Sequence, residues 1–282
     1  MSSSPFVSTE WLSAHMFDTN VRIVDASWYL PNEDRDPEAE FLSAHIPGAV
    51  FFDIDGIAVP GTDLPHMAAA PDDFAEAVGK LGISDSDTIV IYDGLGLRTA
   101  ARAWWNFRIM GAHDVRILEG GLPKWVTEQR PLATGKADWP IAKFNSQSAA
   151  PGHIKSAAEV LAAIQSGSAQ VVDVRSAERF AGTAPEPRPG LRSGHMPGSF
   201  NLPFPDLIEN GRMKRPAELR RLMSDAGIDP NKPVIASCGS GVTATLFTLA
   251  MTEIGIEALD VYDGSWAEWG AREDLPVVTG SE

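Results

Sequence analysis

The sequence predicts an α/β fold in two tandem domains, each containing a mostly parallel sheet flanked by helices. Three observations lead to this prediction. The chain has 282 residues, which is about the length of two average domains. Short runs rich in Ile and Val alternate with helical patterns, as in βαβ units. A series of similar segments occurs twice in the same order, so each half is predicted to form the same unit.

The internal repeat consists of four pairs of similar segments. Each pair contains a strand-like run followed by a turn or a Gly-rich loop, and the third pair continues into an apolar helical pattern. The pairs are VRIVDAS (21–27) with AQVVDVR (169–175), AHIPGAVFFD (44–53) with GHMPGSFNLP (194–203), TIVIYDGLGLRTAARAWW (88–105) with PVIASCGSGVTATLFTLA (233–250), and VRILEGGLPKW (115–125) with ALDVYDGSWAEW (258–269). In the third pair Asp93 occupies the place of Cys238.

Helical patterns and a linker set the predicted domain boundaries. Helices are predicted at Pro71 to Leu81, Ala157 to Ile164 and Arg215 to Ala226. The stretch 134–151 breaks the strand and helix periodicities, so we interpret it as a linker that crosses the back of both domains. The predicted organisation is a first domain at 1–135, a linker at 136–152 and a second domain at 153–282.

The composition limits the partners of this protein. A net charge of -15 and a pI near 4.8 make the surface acidic, which disfavours binding to nucleic acids and anionic membranes. No apolar run is long enough to span a bilayer, so no membrane partner is predicted. An anionic small substrate is also repelled by the surface as a whole, so its site needs local arginines or backbone N–H groups.

Cysteine usage and the first residues favour a cytoplasmic location. The opening segment MSSSPFVSTEW shows neither a secretory nor a transit pattern. The single cysteine, Cys238, has no partner for an internal disulfide and is available for chemistry. The 6 histidines and the single cysteine show no clustered ligand spacing, so neither a metal nor a cofactor is predicted.

Cys238 lies in a Gly-rich loop between a predicted buried strand and a predicted helix. Open parallel sheets hold their ligands at such strand ends. Gly239 and Gly241 allow the loop to turn its N–H groups toward a common centre, and the helix N-terminus adds partial positive charge. Both features favour a thiolate and stabilise a terminal persulfide sulfur. The alternative is a small buried hydrophobic residue, which the Gly-bracketed setting disfavours.

The segment CGSGVTA (238–244) resembles the active-site loop of the rhodanese family of sulfurtransferases, in particular its 3-mercaptopyruvate branch. The likeness covers nearly the whole chain and includes the tandem repeat and the HIPG and HMPG segments at His45 and His195. It implies two rhodanese-like domains, of which the first is an inactive copy with Asp93 in place of the nucleophile. The second is then the catalytic domain, with Cys238 as the carrier of sulfur.

The resemblance implies transfer of sulfur from 3-mercaptopyruvate, through a persulfide, to a thiol acceptor such as thioredoxin or a small dithiol, or to cyanide, with release of pyruvate. Thiosulfate-preferring members carry two basic side chains after the cysteine, where this chain has Gly239 and Ser240. A thiosulfate:cyanide sulfurtransferase remains the alternative enzyme. A non-catalytic sulfur carrier or redox sensor that docks to a partner is the alternative of another class.

The resemblance also implies which residues bind the donor. Arg179 and Arg188 match the arginines that hold the donor carboxylate, and Arg192 is a further candidate. The alternative for Arg179 and Arg188 is surface ion pairing with Glu178 and Glu186. The loop residues that we expect to contact the substrate are Gly239, Gly241, Val242 and Thr243.

A proton relay is predicted around Ser240, which lies two residues after the nucleophile and is a candidate electrophile for the donor carbonyl. By resemblance, His66 and Asp55 of the first domain complete this relay, which puts the site between the domains. Asp53 and Asp63 are alternatives for the acidic member. His66 as an exposed loop residue, and Ser240 bonded to its own backbone, are the simpler interpretations.

His45 and His195 recur at matching positions of both halves, including the half without a nucleophile. This recurrence favours a structural role for both, with hydrogen bonds across turns inside their own domains. Five tryptophans are interpreted as packing residues. They are Trp104, Trp105, Trp125, Trp266 and Trp269.

Overall fold

The computed structural model describes residues 4–147, 150–258 and 260–280. It contains a five-stranded parallel sheet in each half of the chain and a two-stranded antiparallel hairpin in the second half. Helices pack on the sheets, which confirms the predicted α/β class. Among the described residues, no helix is both long and apolar enough to cross a membrane.

The described part of the first half forms one parallel sheet and five α-helices. Its strands are β1 (Phe6–Val7), β2 (Val21–Asp25), β3 (Ala49–Phe51), β4 (Thr88–Tyr92) and β5 (Asp114–Leu118). Its helices are α1 (Thr9–His15), α2 (Pro37–Ser43), α3 (Pro71–Lys80), α4 (Ala100–Ile109) and α5 (Gly121–Thr127), with a 3-10 turn at Pro31–Glu33. The strand order is β1-β5-β4-β2-β3, so β4 lies at the centre.

The second half repeats this arrangement. Its strands are β6 (Ile154–Lys155), β7 (Gln170–Asp173), β8 (Phe200–Asn201), the hairpin β9 (Ile208–Glu209) and β10 (Arg212–Met213), β11 (Val234–Ser237) and β12 (Val261–Tyr262). Its helices are α6 (Ala150–His153), α7 (Ala157–Ser166), α8 (Ala177–Ala181), α9 (Pro216–Asp225), α10 (Ala244–Glu253) and α11 (Ser265–Trp269), with a 3-10 turn at Phe204–Leu207. The order β6-β12-β11-β7-β8 places β11 where β4 lies in the first sheet.

The predicted helices form with small shifts at their ends. α3 begins at the predicted Pro71 and stops one residue earlier than predicted, and α9 lies one residue inside its predicted range at each end. α7 begins as predicted because Ser156 caps it and accepts from the N–H of Glu159, whose carboxylate returns to Ser156. It continues to Ser166, where Gly167 in the left-handed conformation ends it.

The described part of the predicted linker packs along the first half. The Phe144 ring lies 5.6 Å from that of Phe74 in an edge contact, and Trp139 donates from Nε1 to the carbonyl of Gly48. Residues 148 and 149 lie outside the described residues, and α6 occupies 150–153 at the predicted linker end. The domain boundaries at 135 and 152 stay a prediction.

Two helices join the halves. α4 and α10 contact each other, and their apolar side chains belong to a single buried cluster that includes Trp104, Trp105, Leu246 and Phe247. All five tryptophans that we interpreted as packing residues are fully buried. The packing of α4 against α10 brings the carboxyl ends of the two sheets into one interface.

His45 and His195 have equivalent structural surroundings. His45 Nδ1 lies 2.8 Å from the carbonyl of Phe41 and its ring stacks on that phenyl ring. His195 makes the same two contacts with Phe180. Both side chains are buried within their own half, as the structural interpretation requires.

Asp25 and Asp173 occupy equivalent positions at the ends of β2 and β7, but their surroundings differ. Both carboxylates are buried. Asp173 forms an ion pair with Arg175 at 2.6 Å, whereas Ser27 stands at the matching position and donates its N–H and hydroxyl to Asp25. Because Ser27 carries no charge, burial raises the pKa of Asp25 to about 6, against the lowering effect of these hydrogen bonds.

Asp25→Asn should remove a pH dependence of folding stability. The folded protein holds the Asp25 proton up to about pH 6, whereas the unfolded chain releases it near the ordinary value of 3.8. The stability that this proton contributes is present below the unfolded pKa and is lost as the pH rises through the folded pKa, by roughly 3 kcal/mol at most. Urea unfolding of the wild type between about pH 4 and pH 7 should show this loss, and Asp25→Asn should not. Equal losses in both proteins would contradict the assignment to Asp25.

Candidate active site

Cys238 directly follows the central strand β11 and begins the loop 238–243 that leads into α10. Its side chain is buried and its thiol is free. The ten-residue helix α10 starts immediately after this loop, so its N-terminal partial positive charge acts on the loop. The position at the carboxyl end of a central parallel strand is the one that the sequence predicts.

The carbonyl groups of the loop are held by donors that lie outside it. Trp266 N–H donates to Cys238 O at 3.0 Å, Ala267 N–H to Gly239 O at 2.9 Å, and Arg102 Nη1 to Gly241 O at 3.1 Å. In a trans peptide unit the C=O and the following N–H point in opposite directions. The N–H groups that follow these carbonyls therefore point away from α11 and Arg102.

The matching loop of the first half is an anion cradle that contains its own anion. The buried carboxylate of Asp93 accepts hydrogen bonds from four backbone N–H groups. The donors are Leu95 at 2.8 Å, Arg98 at 2.7 Å, Thr99 at 2.8 Å and Ala100 at 2.9 Å. In the second half, Ser240 lies two residues after Cys238 as Leu95 lies after Asp93, and Val242 and Thr243 precede α10 by two residues and one residue as Arg98 and Thr99 precede α4. The N–H groups of Ser240, Val242 and Thr243 have no acceptor among the described residues.

Ser265 fixes the backbone of Cys238. Its hydroxyl accepts from Cys238 N–H at 3.2 Å and donates to the carbonyl of Tyr262 at 2.8 Å. Ser265 is fully buried and has a φ of 49°, a conformation that costs energy for a residue other than glycine. The first half has Gly121 at the matching position, so sequence comparison of the halves could have identified this residue.

Arg179 lies against the cysteine loop. A Cβ built on Gly239 would stand 3.0 Å from Arg179 Nη2. The same guanidinium forms an ion pair with Glu186 at 2.5 Å, as the alternative interpretation expected, but the Glu186 side chain is only 2% exposed. Glu186 is shared with Arg175 at 2.7 Å, so this is a buried network and not a surface pair.

Arg188 and Arg192 have different surroundings. The half-buried Arg188 has no hydrogen bond or ion pair to another described residue. Its charge acts on Asp55, whose pKa is lowered first by the hydrogen bond from His66 and to a smaller extent by Arg188. Arg192 instead donates to the carbonyls of Trp269, Gly270, Arg272 and Leu275, so its role is to cap the end of α11.

The structure brings His66 and Asp55 together. His66 Nδ1 lies 2.5 Å from Asp55 Oδ1, and Trp28 Nε1 donates to the other carboxylate oxygen at 2.8 Å. His66 is buried, unlike an exposed loop residue, and its Nε2 has no partner among the described residues. Asp53 instead accepts from the N–H of Asp55, so Asp55 is the acidic member of this pair.

Ser240 is half-buried, and its hydroxyl has no hydrogen bond among the described residues, to its own backbone or to His66. The complete relay therefore stays a prediction. The structure joins the His66 segment and the cysteine loop through their backbones, because Arg102 of α4 donates to the carbonyls of both His66 and Gly241. Residues 66 and 241, which belong to different halves, are thus held close together, and the location of the site between the halves stays a prediction.

Arg102 and Asp263 are functional-site neighbours that the sequence reasoning missed. They form a fully buried ion pair between the halves at 2.5 Å. The available signal was a lone charged residue within the apolar helical run ARAWWNF, because a charge in such a position needs a partner. The identity of that partner, in the other half of the chain, is not visible in the sequence.

Comparison with known proteins defines the class. The model of the rhodanese-like domain family matches residues 8–128 and 156–272. The chain therefore belongs to the rhodanese-like family and contains two such domains, each built on one of the parallel sheets.

Individual relatives are similar over nearly the whole chain. The 3-mercaptopyruvate sulfurtransferase of Escherichia coli K12 is 41% identical, covering 98% of this chain and 99% of its own length. The mitochondrial thiosulfate/3-mercaptopyruvate sulfurtransferase 1 of Arabidopsis thaliana is 39% identical, covering 98% and 78%. The crystal structure of SseA from Escherichia coli, described as a 3-mercaptopyruvate sulfotransferase with the rhodanese fold, has a TM-score of 0.86 and 38% identity, covering 94% of this chain and 100% of SseA.

Gly241→Ala should distort the cysteine loop. Gly241 has a φ of 81°, and an added Cβ would lie 2.6 Å from Asp263 Oδ1 and 3.1 Å from Arg102 Nη1. The matched control is Gly255→Ala, at a φ of 85° with nothing within 4 Å, which should cost only about 1 kcal/mol of conformational strain. We expect Gly241→Ala to lose at least about 2 kcal/mol more in urea unfolding. Equal losses in the two variants would contradict the close contact.

Proposed function

We propose that this protein transfers sulfur from 3-mercaptopyruvate, through a Cys238 persulfide, to a thiol acceptor. The observation that carries the proposal is the pair of matching loops. In Asp93, each carboxylate oxygen is two bonds from Cβ, and four backbone N–H groups donate to the two oxygens of this carboxylate. In a Cys238 persulfide, the outer sulfur is also two bonds from Cβ. The cradle of the second half therefore suits the outer sulfur of a persulfide.

The proposed first step forms the persulfide. The Cys238 thiolate attacks the donor sulfur, an S–S bond forms, and the C–S bond breaks with its electron pair left on carbon as the enolate of pyruvate. Protonation of that enolate gives pyruvate. In the second step the thiolate of the acceptor attacks the outer sulfur, takes it as a new persulfide and releases the Cys238 thiolate.

The proton relay is assigned to Ser240, His66 and Asp55. Ser240 lies in the loop two residues after the nucleophile, and its hydroxyl, which has no hydrogen bond to another described residue, is placed to polarise the donor carbonyl. The hydrogen bond between His66 Nδ1 and Asp55 fixes the ring, which leaves Nε2 for proton exchange. Gly239, Gly241, Val242 and Thr243 contribute the backbone that surrounds the sulfur.

Local charges support a donor with one carboxylate. The charges of Arg175 and Arg179 are offset by Asp173 and Glu186 in the buried network. Arg188, which has no ion pair to another described residue, is the proposed partner of the donor carboxylate, and Arg179 lies against the cysteine loop. A single unpaired charge at Arg188 fits the single negative charge of 3-mercaptopyruvate better than the double charge of thiosulfate.

The acceptor and the location are proposed from chemistry. A thiol such as thioredoxin or a small dithiol can take the outer sulfur, because thiolates attack sulfur–sulfur bonds. Such reduced thiols are maintained in the cytoplasm, which we propose as the location. Thiosulfate is the alternative donor, because the Arabidopsis relative carries both donors in its name.

Pyruvate release from 3-mercaptopyruvate, with a reducing thiol as acceptor, tests the proposed function. We expect turnover in the wild type and none in Cys238→Ser, because the hydroxyl cannot hold the sulfur. Thiosulfate assayed as donor in parallel should give a kcat/KM at least about tenfold lower. Turnover of thiosulfate without pyruvate release would support the alternative enzyme, and no turnover of either donor would support a sulfur carrier.

Arg188→Met should weaken donor binding without weakening the fold. Since Arg188 has no ion pair with another described residue, we expect the free energy of unfolding to change by less than about 0.5 kcal/mol. The KM for 3-mercaptopyruvate should rise at least about tenfold through the loss of a charge-assisted contact. Arg116→Met, which removes a partly exposed pair with Asp114, is the control and should leave KM unchanged. An unchanged KM in Arg188→Met would exclude Arg188 from the donor site.

A further inference from the structure

Arg102 is a buried arginine whose contacts the proposed mechanism does not use. It belongs to α4 of the first half, and its side chain is 0% exposed. Nη1 lies 3.1 Å from Gly241 O and 2.5 Å from Asp263 Oδ1, while Nη2 lies 2.5 Å from His66 O and 3.3 Å from Asp263 Oδ2. One guanidinium thus joins the cysteine loop, the residue after β12 and the segment that carries His66.

Asp263 completes this connection. Its Oδ2 accepts from Ala68 N–H at 2.7 Å, so the carboxylate of the second half binds the first half both through Arg102 and through the backbone. The contacts use the planar fork of a guanidinium, in which each terminal nitrogen bonds the carboxylate and one carbonyl. The geometry of the cysteine loop relative to residues 66–68 therefore depends on this group.

The contact with Gly241 O determines where the next N–H points. In a trans peptide unit the C=O and the following N–H point in opposite directions. Because Gly241 O points toward Arg102, Val242 N–H points away from Arg102. In the first half Arg98 lies two residues before α4, as Val242 lies two residues before α10, and its N–H donates to the carboxylate of Asp93 at 2.7 Å. The N–H that Arg102 directs is thus the positional counterpart of one that binds the carboxylate in the first loop.

Arg102 also holds the carbonyl of His66, which belongs to the first half. His66 has a φ of 60°, an uncommon conformation for a residue with a side chain, and such a conformation persists only where neighbours hold it. Arg102 holds its carbonyl, Asp55 its Nδ1, and Trp28 packs edge-on at 4.7 Å. The ring orientation that leaves Nε2 without a partner among the described residues therefore depends in part on Arg102.

We propose that Arg102 is a positioning residue for sulfur transfer, which aims Val242 N–H at the outer sulfur and holds His66 beside the cysteine loop. This inference rests on the proposed function and adds a residue that touches neither donor nor sulfur. It gives the half without a nucleophile a role in the reaction, since α4 supplies the group. A purely structural ion pair would instead affect activity only as far as it affects stability.

Arg102→Lys tests this role. A lysine keeps a positive charge beside Asp263 but lacks the planar fork that holds both carbonyls. We expect kcat for pyruvate release to fall at least about tenfold, while KM for 3-mercaptopyruvate changes less than about threefold. The matched control is Phe107→Leu, a buried position on the same helix that packs in the aromatic cluster of the first half. It should lower the thermal midpoint comparably and keep the wild-type kcat.

A second measurement needs no variant. With isotope-labelled valine, the NMR signal of the Val242 amide in the wild type should shift more than that of any other valine when Cys238 is loaded with sulfur.

If Arg102→Lys does not fold, it is replaced by the double variant Arg102→Gln with Asp263→Asn, which removes both charges together. The same loss of kcat is expected.

The outcomes separate the two proposals. No pyruvate release by the wild type contradicts the proposed function and this inference with it. Wild-type turnover combined with a folded Arg102→Lys whose kcat lies within about twofold of the wild type overturns the positioning role alone. An unmoved Val242 signal on loading, or a Phe107→Leu variant that loses as much kcat as Arg102→Lys, overturns it as well.

Discussion

Backbone N–H groups at the end of a central parallel strand need an acceptor, and this constraint organises both halves of the protein. In the first half the turn from strand to helix directs four N–H groups to one point. The first half satisfies them with the carboxylate of its own Asp93. The second half has Cys238 at that position, and its thiol is one bond too short to take the same place. A sulfur atom added to Cys238 Sγ lies two bonds from Cβ, as the carboxylate oxygens of Asp93 do.

The loop geometry is maintained from outside. The N-terminus of α11 donates to the carbonyls of Cys238 and Gly239, and Arg102 donates to that of Gly241. Because one of these donors belongs to the other half, the geometry of the cysteine loop depends on both rhodanese-like domains. The two copies of the unit differ accordingly: the first has Asp93 where the second has Cys238, and it contributes Arg102 to the loop.

The arginines near the site have a charge opposite in sign to the net charge of the chain. The net charge of -15 repels an anionic donor at long range, but the site is surrounded by arginines. Most of their charge is offset by buried carboxylates, as in the network of Arg175, Arg179, Asp173 and Glu186. The arrangement holds rigid hydrogen-bond donors in position without creating a large positive potential. This suits a small anion with one charge.

The sequence by itself determined the α/β class, the duplicated order of strands and helices, and the place of Cys238 at a strand end. These features depend on local periodicity and on glycine positions, which are written along the chain. The pairing of His66 with Asp55 followed from resemblance, and the structure brought those two together. Only the tertiary structure decided that Arg192 caps α11, that Glu186 is buried between two arginines, and that Arg102 meets Asp263 across the interface. Those contacts join residues far apart in the chain, and their geometry depends on how α4 packs against α10, for which a single sequence contains no local signal.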